Sequence, residues 1–319
     1  MRFAIVGAGA TGGFLGAHLA RAGAEVTLIA RGPHLAAMRE RGIRVEESNG
    51  ESFVAHPECT DDLGAIAEAD TVFLTLKAHS LPALAPALGA ALDPATTVVS
   101  CQNGIPWWYA QGLESVDPGG VIAGSLPTSQ VIGCVVYPAT NLASPGVVEH
   151  VEGDRFSVGE IDGERRERVD AIAAALTSAG LRAPVQRDIR AEIWLKLLGN
   201  ATFNPMSALT GATLAGMATD PATRAAIHSL MTEVEAVAAA LGIRIPISIE
   251  RRIEGAAKVG EHRTSMLQDL EAGRPLELDS LTGAVIELAG RVGVPVPGLR
   301  VIDAATRLLA QVRNQASNE

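Results

Sequence analysis

The sequence predicts an α/β fold in the first half of the chain, followed by an all-α second half. Short apolar runs alternate with Ala-rich helical stretches up to about residue 187, and long helical patterns take over from Asp188 onward. Continuous apolar runs of this kind suit parallel strands that are buried on both faces and connected by helices. The length of 319 residues also favours two domains, because a domain usually has about 100–200 residues. We therefore predict one domain at residues 1–187 and a second at residues 188–319.

The individual elements follow from the hydrophobic pattern of each segment. The pattern predicts strands over residues 2–6, 25–29, 71–76, 96–100, 131–136, 147–148, 156–158 and 183–186. It predicts helices over residues 11–22, 164–179, 188–204, 221–241, 248–258 and 280–292. Ser265 is a candidate N-cap in its own segment, and Asp279 is expected to cap the helix that follows it.

Composition argues against several classes of function. The formal net charge of −10 repels phosphate backbones and anionic membrane surfaces, so we expect no nucleic-acid partner. Cys59, Cys101 and Cys134 show no metal-ligand spacing, so we predict no metal site and a reduced, cytoplasmic environment. Residues 118–148 carry no charge, but four prolines within them argue against a membrane-spanning helix. Five glycines within the first 16 residues likewise argue against a signal peptide.

A glycine-rich turn joins the first predicted strand to the first predicted helix. It has the pattern G-x-G-x-x-G and consists of Gly7, Ala8, Gly9, Ala10, Thr11 and Gly12. The first glycine permits a tight turn, the second lets the backbone approach a pyrophosphate, and the third allows close packing of the helix on the strand. The free amides at the start of the helix attract the phosphate anion. With a strand before it and a helix after it, the pattern indicates a dinucleotide-binding site rather than an ordinary glycine-rich turn.

The residue near the end of the second predicted strand bears on which dinucleotide is bound. An acidic residue there would bind the ribose 2′-hydroxyl of NAD, whereas this chain has Arg31. A guanidinium suits the 2′-phosphate of NADP, because its donors are planar and its charge is permanent. The alternative is a solvated surface arginine beside Gly32 and Pro33. We favour NADP over NAD.

Polar residues follow two further predicted strands. Lys77 comes directly after the apolar run 72–76, and Asn103-Gly104 closely follows residues 98–100. Ligands of open α/β sheets bind outside the carboxyl ends of the strands. The lysine could therefore contact cofactor or substrate, and the turn could present amide groups to a nicotinamide. The alternatives are a surface lysine and a plain turn.

A helix at the start of the second half carries a regular polar pattern. Lys196, Asn200 and Asn204 recur every four residues, so they share one narrow stripe of the helix. A lysine ammonium can polarise the carbonyl of a 2-oxo acid and donate a proton as hydride reaches the carbon. Amide side chains can hold the carbonyl or hydroxyl without adding charge. The alternative is a surface pair of Glu192 and Lys196, which would leave the two asparagines unexplained.

Together these motifs resemble the ketopantoate reductase family, the 2-dehydropantoate 2-reductases, over essentially the whole chain. The matching motifs are Gly7–Gly12, Leu76-Lys77-Ala78, Asn103-Gly104, Trp194-x-Lys196-Leu197, Asn200, Asn204-Pro205, Ser265-Met266-Leu267-Gln268-Asp269 and Glu277-x-Asp279. The resemblance implies an N-terminal Rossmann-type dinucleotide-binding domain and a C-terminal all-α domain, with the active site in the cleft between them.

The resemblance further implies reduction of 2-dehydropantoate to D-pantoate with NADPH, a step toward pantothenate and coenzyme A. Lys196 is then the proton donor, and Asn200, Asn204 and Ser265 bind the substrate. Glu277 matches a glutamate that holds bound ligand, although its local pattern alone would not select it. The other positions that match cofactor contacts are Arg31, Lys77, Asn103 and Ala139.

Two departures from the family pattern leave the substrate open. A third substrate-side asparagine, expected some way after Asn204, is replaced near Thr213-Leu214. Trp107, Trp108 and Tyr109 closely follow the Asn-Gly turn, where they would either line a wider site or form a packing face. A bulkier 2-oxo acid is therefore the alternative substrate.

Other functions are also compatible with parts of the pattern. A β-hydroxyacid dehydrogenase shares the lysine–asparagine spacing, but the substrate loop of that family has no convincing counterpart here. A non-catalytic NADP(H)-sensing protein is a further alternative, although a sensor has no need of a proton donor. The Ala-rich helices of the second half could pack within one chain or between two copies, so a homodimer stays open.

Overall fold

Strands and helices alternate through the first half of the chain, and helices predominate in the second. The computed structural model describes residues 1–316, so the end of the predicted second domain, residues 317–319, lies outside the described part. The strands are β1 (Arg2–Val6), β2 (Glu25–Ile29), β3 (Ile43–Glu46), β4 (Ser52–Ala55), β5 (Glu58–Thr60), β6 (Thr71–Leu74), β7 (Thr97–Ser100), β8 (Val131–Val136), β9 (Ala139–Ser144), β10 (Val147–Glu152) and β11 (Phe156–Glu160). The α-helices are α1 (Ala10–Arg21), α2 (Gly32–Arg41), α3 (Leu81–Ala91), α4 (Val121–Ser125), α5 (Glu167–Ser178), α6 (Ile189–Thr210), α7 (Leu214–Thr219), α8 (Pro221–Ala240), α9 (Ile249–Val259), α10 (Ser265–Glu271), α11 (Ala284–Val292) and α12 (Pro297–Ala316).

Two compact units share the chain, and no single cut in the sequence separates them. The first unit contains residues 1–102, 107–112 and 119–189. The second contains residues 103–106, 113–118 and the chain from 190 onward. Two short segments from the first half of the sequence therefore belong to the helical unit.

A seven-stranded sheet in the order β11-β8-β7-β6-β1-β2-β5 forms the framework of the first unit. Neighbouring strands are parallel except for β11 and β8, which are antiparallel. Phe3 in β1 lies opposite Val26 on one side and Thr71 on the other. The interior of β1 is buried, Ile5 completely, as expected for a strand covered on both faces. The predicted α/β fold with a Rossmann-type parallel sheet is confirmed.

A second sheet, in the order β4-β3-β10-β9, was not expected from the sequence. Its strands are short, and β9 is half-buried or exposed along its whole length, so no strong apolar run marks it. Helix α1 packs against this sheet, where Gly13 leaves room for the side chain of Ile43. Thr11 Oγ1 lies 3.3 Å from Thr140 Oγ1 in β9. The second sheet therefore places one end of β9 beside the start of α1.

A half-buried carboxylate also links α1 to the second sheet. Glu47 Oε1 lies 3.0 Å from His18 Nε2 in α1, and its Oε2 lies 2.8 Å from His150 Nδ1 in β10. His18 Nδ1 lies 3.1 Å from the carbonyl oxygen of Ala179. Burial lowers the pKa of His18. The three side chains fix the orientation of the helix that begins at the glycine-rich turn.

Helix α6 is the longest helix of the second unit and runs further than predicted. The sequence predicts an end at Asn204, before Pro205, but the helix continues to Thr210. Proline removes one backbone donor, and here the burial of Phe203 and Ala208 on either side outweighs that loss. Within residues 1–316, no helix combines the length and the apolar composition needed to cross a membrane.

The strand predicted at residues 183–186 does not form. Only Val185 pairs, in a single parallel bridge with Val158. Pro184 lies within the segment and has no N–H to donate, so a regular ladder cannot develop there.

Both predicted helix caps are wrong. Thr264, not Ser265, caps α10, and its hydroxyl accepts a hydrogen bond from the amide of Leu267 at 3.3 Å. Asp279 begins a π-helical turn, Asp279–Gly283, that leads into α11. Its carboxylate instead lies 2.8 Å from Arg307, because the turn is tied to α12.

A hydrogen bond of His34 links helix α2 to the second sheet. Its Nδ1 accepts a hydrogen bond of 2.9 Å from the amide of Gly146, in the turn between β9 and β10. Burial lowers the pKa of His34, and a backbone hydrogen bond with Ala8 in the glycine-rich turn offsets part of that effect. A protonated Nδ1 cannot accept a hydrogen bond, so this contact requires the neutral ring.

We expect the first unit to lose stability as the pH falls below about 6.5, the unperturbed pKa of histidine. The folded state binds a proton on His34 or His18 less readily than the unfolded chain does, because burial lowers both pKa values. The free energy of unfolding should fall by up to about 1 kcal/mol per pH unit for each histidine. Urea unfolding between about pH 7.5 and 5 would measure this loss.

A variant separates the contribution of His34. His34→Gln keeps an acceptor for Gly146 but cannot titrate, so its stability should depend less on pH than that of the wild type. His79→Gln, at an exposed position, is the control and should behave as the wild type. An unchanged pH dependence in His34→Gln would contradict the assignment.

Candidate active site

The glycine-rich turn lies between β1 and α1 and is held by hydrogen bonds from neighbouring strands. The amides of Gly7 and Ala8 both donate to the carbonyl of Ile29 at the end of β2, at 3.1 and 3.0 Å. Thr75, just after β6, donates its hydroxyl to the carbonyl of Gly7 at 2.9 Å. Gly7 has a φ of +92°, which residues with a side chain rarely adopt. The ends of three adjacent strands therefore fix the turn.

The rest of the turn leaves the start of α1 open. A Cβ on Gly12 would lie 2.7 Å from the carbonyl oxygen of Gly7, so only glycine packs this closely. A Cβ on Gly9 would meet only that oxygen, at 3.9 Å, so the space over Gly9 is open. Gly9 has no side chain that could cap the helix amides. The first turn of α1, which begins with Ala10 and Thr11, contains no acidic residue that would repel an anion. The amides of this turn can bind an anion, and the site fits the phosphates of a dinucleotide.

Arg31 lies close to this turn along the chain. It comes two residues after Ile29, whose carbonyl holds the turn, and it directly precedes helix α2. Its side chain is exposed. The guanidinium is therefore accessible to solvent.

Two further predicted cofactor residues follow elements that contact the turn. The backbone nitrogen of Leu76 lies 2.9 Å from the point that a Cβ on Gly7 would occupy, and the next residue, Lys77, is exposed. Ala139 begins β9 and directly precedes Thr140, which contacts Thr11 in α1. The structure thus gathers the predicted cofactor residues of the first unit around one turn.

In the second unit, three polar residues occupy one stripe of α6. Lys196 and Asn200 are half-buried, and Asn204 is buried with 5% of its surface exposed. Asn200 Nδ2 donates a hydrogen bond to Asn103 Oδ1 at 2.9 Å. Trp194, on another face of α6, is completely buried. The helix therefore presents a polar stripe beside an apolar face, and an asparagine from a distant part of the chain joins that stripe.

The π-helical turn holds the Asn-Gly turn in place. Ile105 donates its amide to the carbonyl of Ser280 at 2.8 Å. Gly104 has a φ of +85°, and a Cβ there would overlap the same carbonyl oxygen. Glycine at this position thus permits the close approach that brings Asn103 to Asn200.

An arginine between two aspartates stabilises the π-helical turn. Arg307 in α12 lies 2.8 Å from Asp279 and 2.8 Å from Asp303. Thr282 donates its hydroxyl to Asp303 at 2.5 Å. Turns of the π type occur mostly as single turns, frequently at functional sites. The ion pairs here support the irregular backbone on which the Asn-Gly turn rests.

The other two predicted ligand residues lie at the ends of helical segments in the second unit. Glu277 is half-buried and lies two residues before the π-helical turn. Ser265 is exposed as the first residue of α10. Glu277 is thus close in sequence to the π-helical turn that holds the Asn-Gly turn. Ser265 lies at the start of a different helix, α10.

The two departures from the family pattern have structural explanations. Trp107, Trp108 and Tyr109 are buried, with 3%, 6% and 6% of their surfaces exposed, so they are packing residues. The ring of Trp108 lies 3.0 Å from the point that a Cβ on Gly133 in β8 would take. Their burial removes the argument that they line a wider site.

Thr213 does not substitute for the missing asparagine. Its hydroxyl donates to Glu261 Oε2 at 2.9 Å and accepts a hydrogen bond from the amide of Gly216 at 3.2 Å. It is therefore the cap of helix α7.

Sequence reasoning missed two residues that contact the site. Thr75 holds the glycine-rich turn, and a hydroxyl at the end of an apolar run is the signal that could have identified it. Arg252 in α9 packs against Gly199 in α6, next to the polar stripe. No local pattern marks Arg252, because the contact joins two helices that are distant in sequence. Within residues 1–316, no group of three or more His, Cys, Asp or Glu side chains could hold a metal ion.

Comparison with known families covers both halves of the chain. Residues 3–163 match the family described as ketopantoate reductase PanE/ApbA. Residues 188–310 match the family described as ketopantoate reductase PanE/ApbA C terminal. The two matched ranges contain the glycine-rich turn and the polar stripe of α6, respectively.

Individual proteins align along nearly the full length. A 2-dehydropantoate 2-reductase from Mesorhizobium japonicum is 48% identical over 98% of this chain and 99% of its own. A crystal structure from Ralstonia solanacearum MolK2, provisionally assigned as a ketopantoate reductase, has a TM-score of 0.92 at 40% identity and covers 98% of each chain. D-mandelate dehydrogenase, in a ternary structure with NADH and anilino(oxo)acetate, shares the fold, with a TM-score of 0.86 at 21% identity over 98% of this chain and 100% of its own. The chain therefore belongs to the ketopantoate reductase PanE/ApbA family and is an oxidoreductase.

Proposed function

We propose that this chain reduces 2-dehydropantoate to D-pantoate with NADPH. The observation that carries the proposal is the group formed by Lys196 and Asn200, one turn apart on α6, and by Asn103 of the Asn-Gly turn, which accepts a hydrogen bond from Asn200. Such a group matches an anionic substrate with a carbonyl and a hydroxyl oxygen. The 48% identity to a 2-dehydropantoate 2-reductase over almost the whole chain supports this substrate.

A bound NADPH, whose phosphates Gly7–Gly12 would hold, would supply the hydride for C2 of the substrate. The ammonium of Lys196 donates a hydrogen bond to the C2 carbonyl oxygen and draws electron density from the carbon. As negative charge develops on that oxygen, Lys196 transfers a proton to it and the hydroxyl forms. Asn200 is held by Asn103, so its amide is oriented before the substrate binds.

The proposal divides binding between the two predicted domains. In residues 1–187 the phosphates of NADPH bind at Gly7–Gly12, Arg31 binds the 2′-phosphate, and Lys77 and Ala139 contact the cofactor. In the second unit, Asn103 is the proposed cofactor contact, and the proposed substrate residues are Asn200, Asn204, Ser265 and Glu277. The reaction requires the nicotinamide and Lys196 to approach the same carbonyl.

A different 2-oxo acid is the second candidate substrate. The observation that favours it is the engagement of Thr213 as a helix cap, which leaves the missing asparagine without a replacement at that position. The D-mandelate dehydrogenase fold neighbour was crystallised with an aromatic oxo compound and NADH, so the fold alone decides neither substrate nor cofactor. A sensor without activity is not retained, because the chain belongs to an enzyme family. A cytoplasmic location, a homodimer and a role in pantothenate and coenzyme A synthesis stay predictions from the sequence.

A panel of 2-oxo acids tests the substrate. With NADPH at saturation, 2-dehydropantoate should have a higher kcat/KM than 2-oxoisovalerate or phenylglyoxylate, as followed by nicotinamide absorbance. Comparable or faster turnover of one of the other acids would reject the proposed substrate and keep the reductase chemistry.

Lys196→Ala tests the proton donor. Loss of a general acid should lower kcat by about 100- to 10,000-fold, while NADPH affinity changes little. Lys258→Ala, at an exposed position on α9, is the matched control and should retain wild-type turnover. Wild-type turnover in Lys196→Ala would remove Lys196 from the mechanism.

Arg31→Ala tests the choice of dinucleotide. Loss of a charged hydrogen bond to the 2′-phosphate should weaken NADPH binding by about 10- to 100-fold and leave NADH binding nearly unchanged. Fluorescence titration with each cofactor measures both affinities. Arg41→Ala, exposed at the end of α2, is the control, and equal losses for the two cofactors in Arg31→Ala would mean that Arg31 does not bind the phosphate.

A further inference from the structure

The surface of α6 beside the polar stripe is covered by an arginine from another helix. The guanidinium of Arg252 in α9 takes the place that a side chain on Gly199 would fill. Its Cζ lies 2.8 Å and its Nε 3.0 Å from the point that a Cβ on Gly199 would occupy. The side chain of Arg252 is half-buried. The absence of a side chain at Gly199 therefore makes room for a cation directly on α6.

Helix geometry places Gly199, which this cation contacts, next to the position of the proposed proton donor. Gly199 is three residues after Lys196, and residues at this spacing are neighbours on the helix surface, about 5–6 Å apart. Asn200 is four residues after Lys196 and adjacent to Gly199 in sequence. One side of α6 therefore carries three neighbouring positions, Lys196, Gly199 and Asn200. The guanidinium of Arg252 lies on Gly199.

A second cation at such a site would have a function in binding a 2-oxo acid. Its carboxylate is bonded directly to the carbonyl carbon, so the groups that bind the two oxygen functions must be neighbours. Lys196 serves the carbonyl in the proposed reaction, the other proposed substrate residues Asn200, Asn204 and Ser265 are uncharged, and Glu277 is acidic. A guanidinium binds a carboxylate through two parallel hydrogen bonds, which also fix its orientation.

We infer that Arg252 binds the carboxylate of the substrate and selects anionic 2-oxo acids over uncharged carbonyl compounds. This inference rests on the proposed function, since it assigns the substrate of that same site. Gly199 is the residue that allows this placement.

The test compares a charged substrate with its uncharged form. The variants are Arg252→Met, Arg252→Lys and Gly199→Ala, with Arg251→Met as the control because Arg251 is exposed on the same helix. For each, KM and kcat are measured with 2-dehydropantoate and with its neutral lactone at saturating NADPH. Calorimetric titration with D-pantoate measures anion binding without turnover.

Arg252→Met should raise KM for the acid and Kd for D-pantoate by about 10- to 100-fold and change KM for the lactone by less than about threefold. Arg252→Lys should recover part of the loss, because the charge remains. Gly199→Ala should weaken acid binding by displacing the guanidinium while Arg252 itself is kept, and Arg251→Met should match the wild type.

Two results would overturn the inference. Unchanged acid binding in Arg252→Met would remove Arg252 from the substrate, and equal losses for acid and lactone would show a merely structural role. Wild-type protein that binds D-pantoate but reduces no 2-oxo acid would reject the proposed function instead. In that case the titrations of Arg252→Met and Gly199→Ala with D-pantoate still decide the inference.

Discussion

The hydrogen bond from Asn200 to Asn103 is the contact on which the proposed substrate site of the second unit depends. It joins helix α6 to a turn that follows β7 in sequence. The turn reaches α6 only because Gly104 lies against the carbonyl of Ser280. That carbonyl belongs to a π-helical turn that Arg307 holds through two aspartates. The position of one amide group thus depends on α6, α12 and the segment between α10 and α11.

The two units use different means to place their predicted ligand-binding groups. In the first unit the glycine-rich turn is held by backbone carbonyls and by Thr75, and the groups that face an anion are backbone amides. In the second unit the proposed chemistry depends on side chains of a long helix. In the first unit, substitutions of glycine should therefore impair ligand binding most. In the second unit, substitutions of polar side chains should impair the proposed reaction most.

Local pattern was sufficient for part of the fold and of the candidate site. The strand, glycine-rich turn and first helix could be read from residues 2–22, because hydrophobic period and glycine spacing act over short distances. The stripe of Lys196, Asn200 and Asn204 follows from helical period alone. By contrast, β9 in the second sheet has no strong apolar run, and the continuation of α6 past Pro205 depends on burial by distant residues. Arg252 and the partner of Asn103 were beyond prediction because each contact joins segments far apart in the chain.

The assignment of residues 103–106 and 113–118 to the helical unit limits how the protein can be recombined. A chimaera joined once, near residue 187, would combine the helical half of one relative with an Asn-Gly segment evolved for another. Gly104 and Ser280 would then come from different parents, although their fit leaves no space for even a methyl group. A chimaera keeps this fit only if residues 103–106 come from the same parent as the C-terminal half, so the helical unit is discontinuous along the gene.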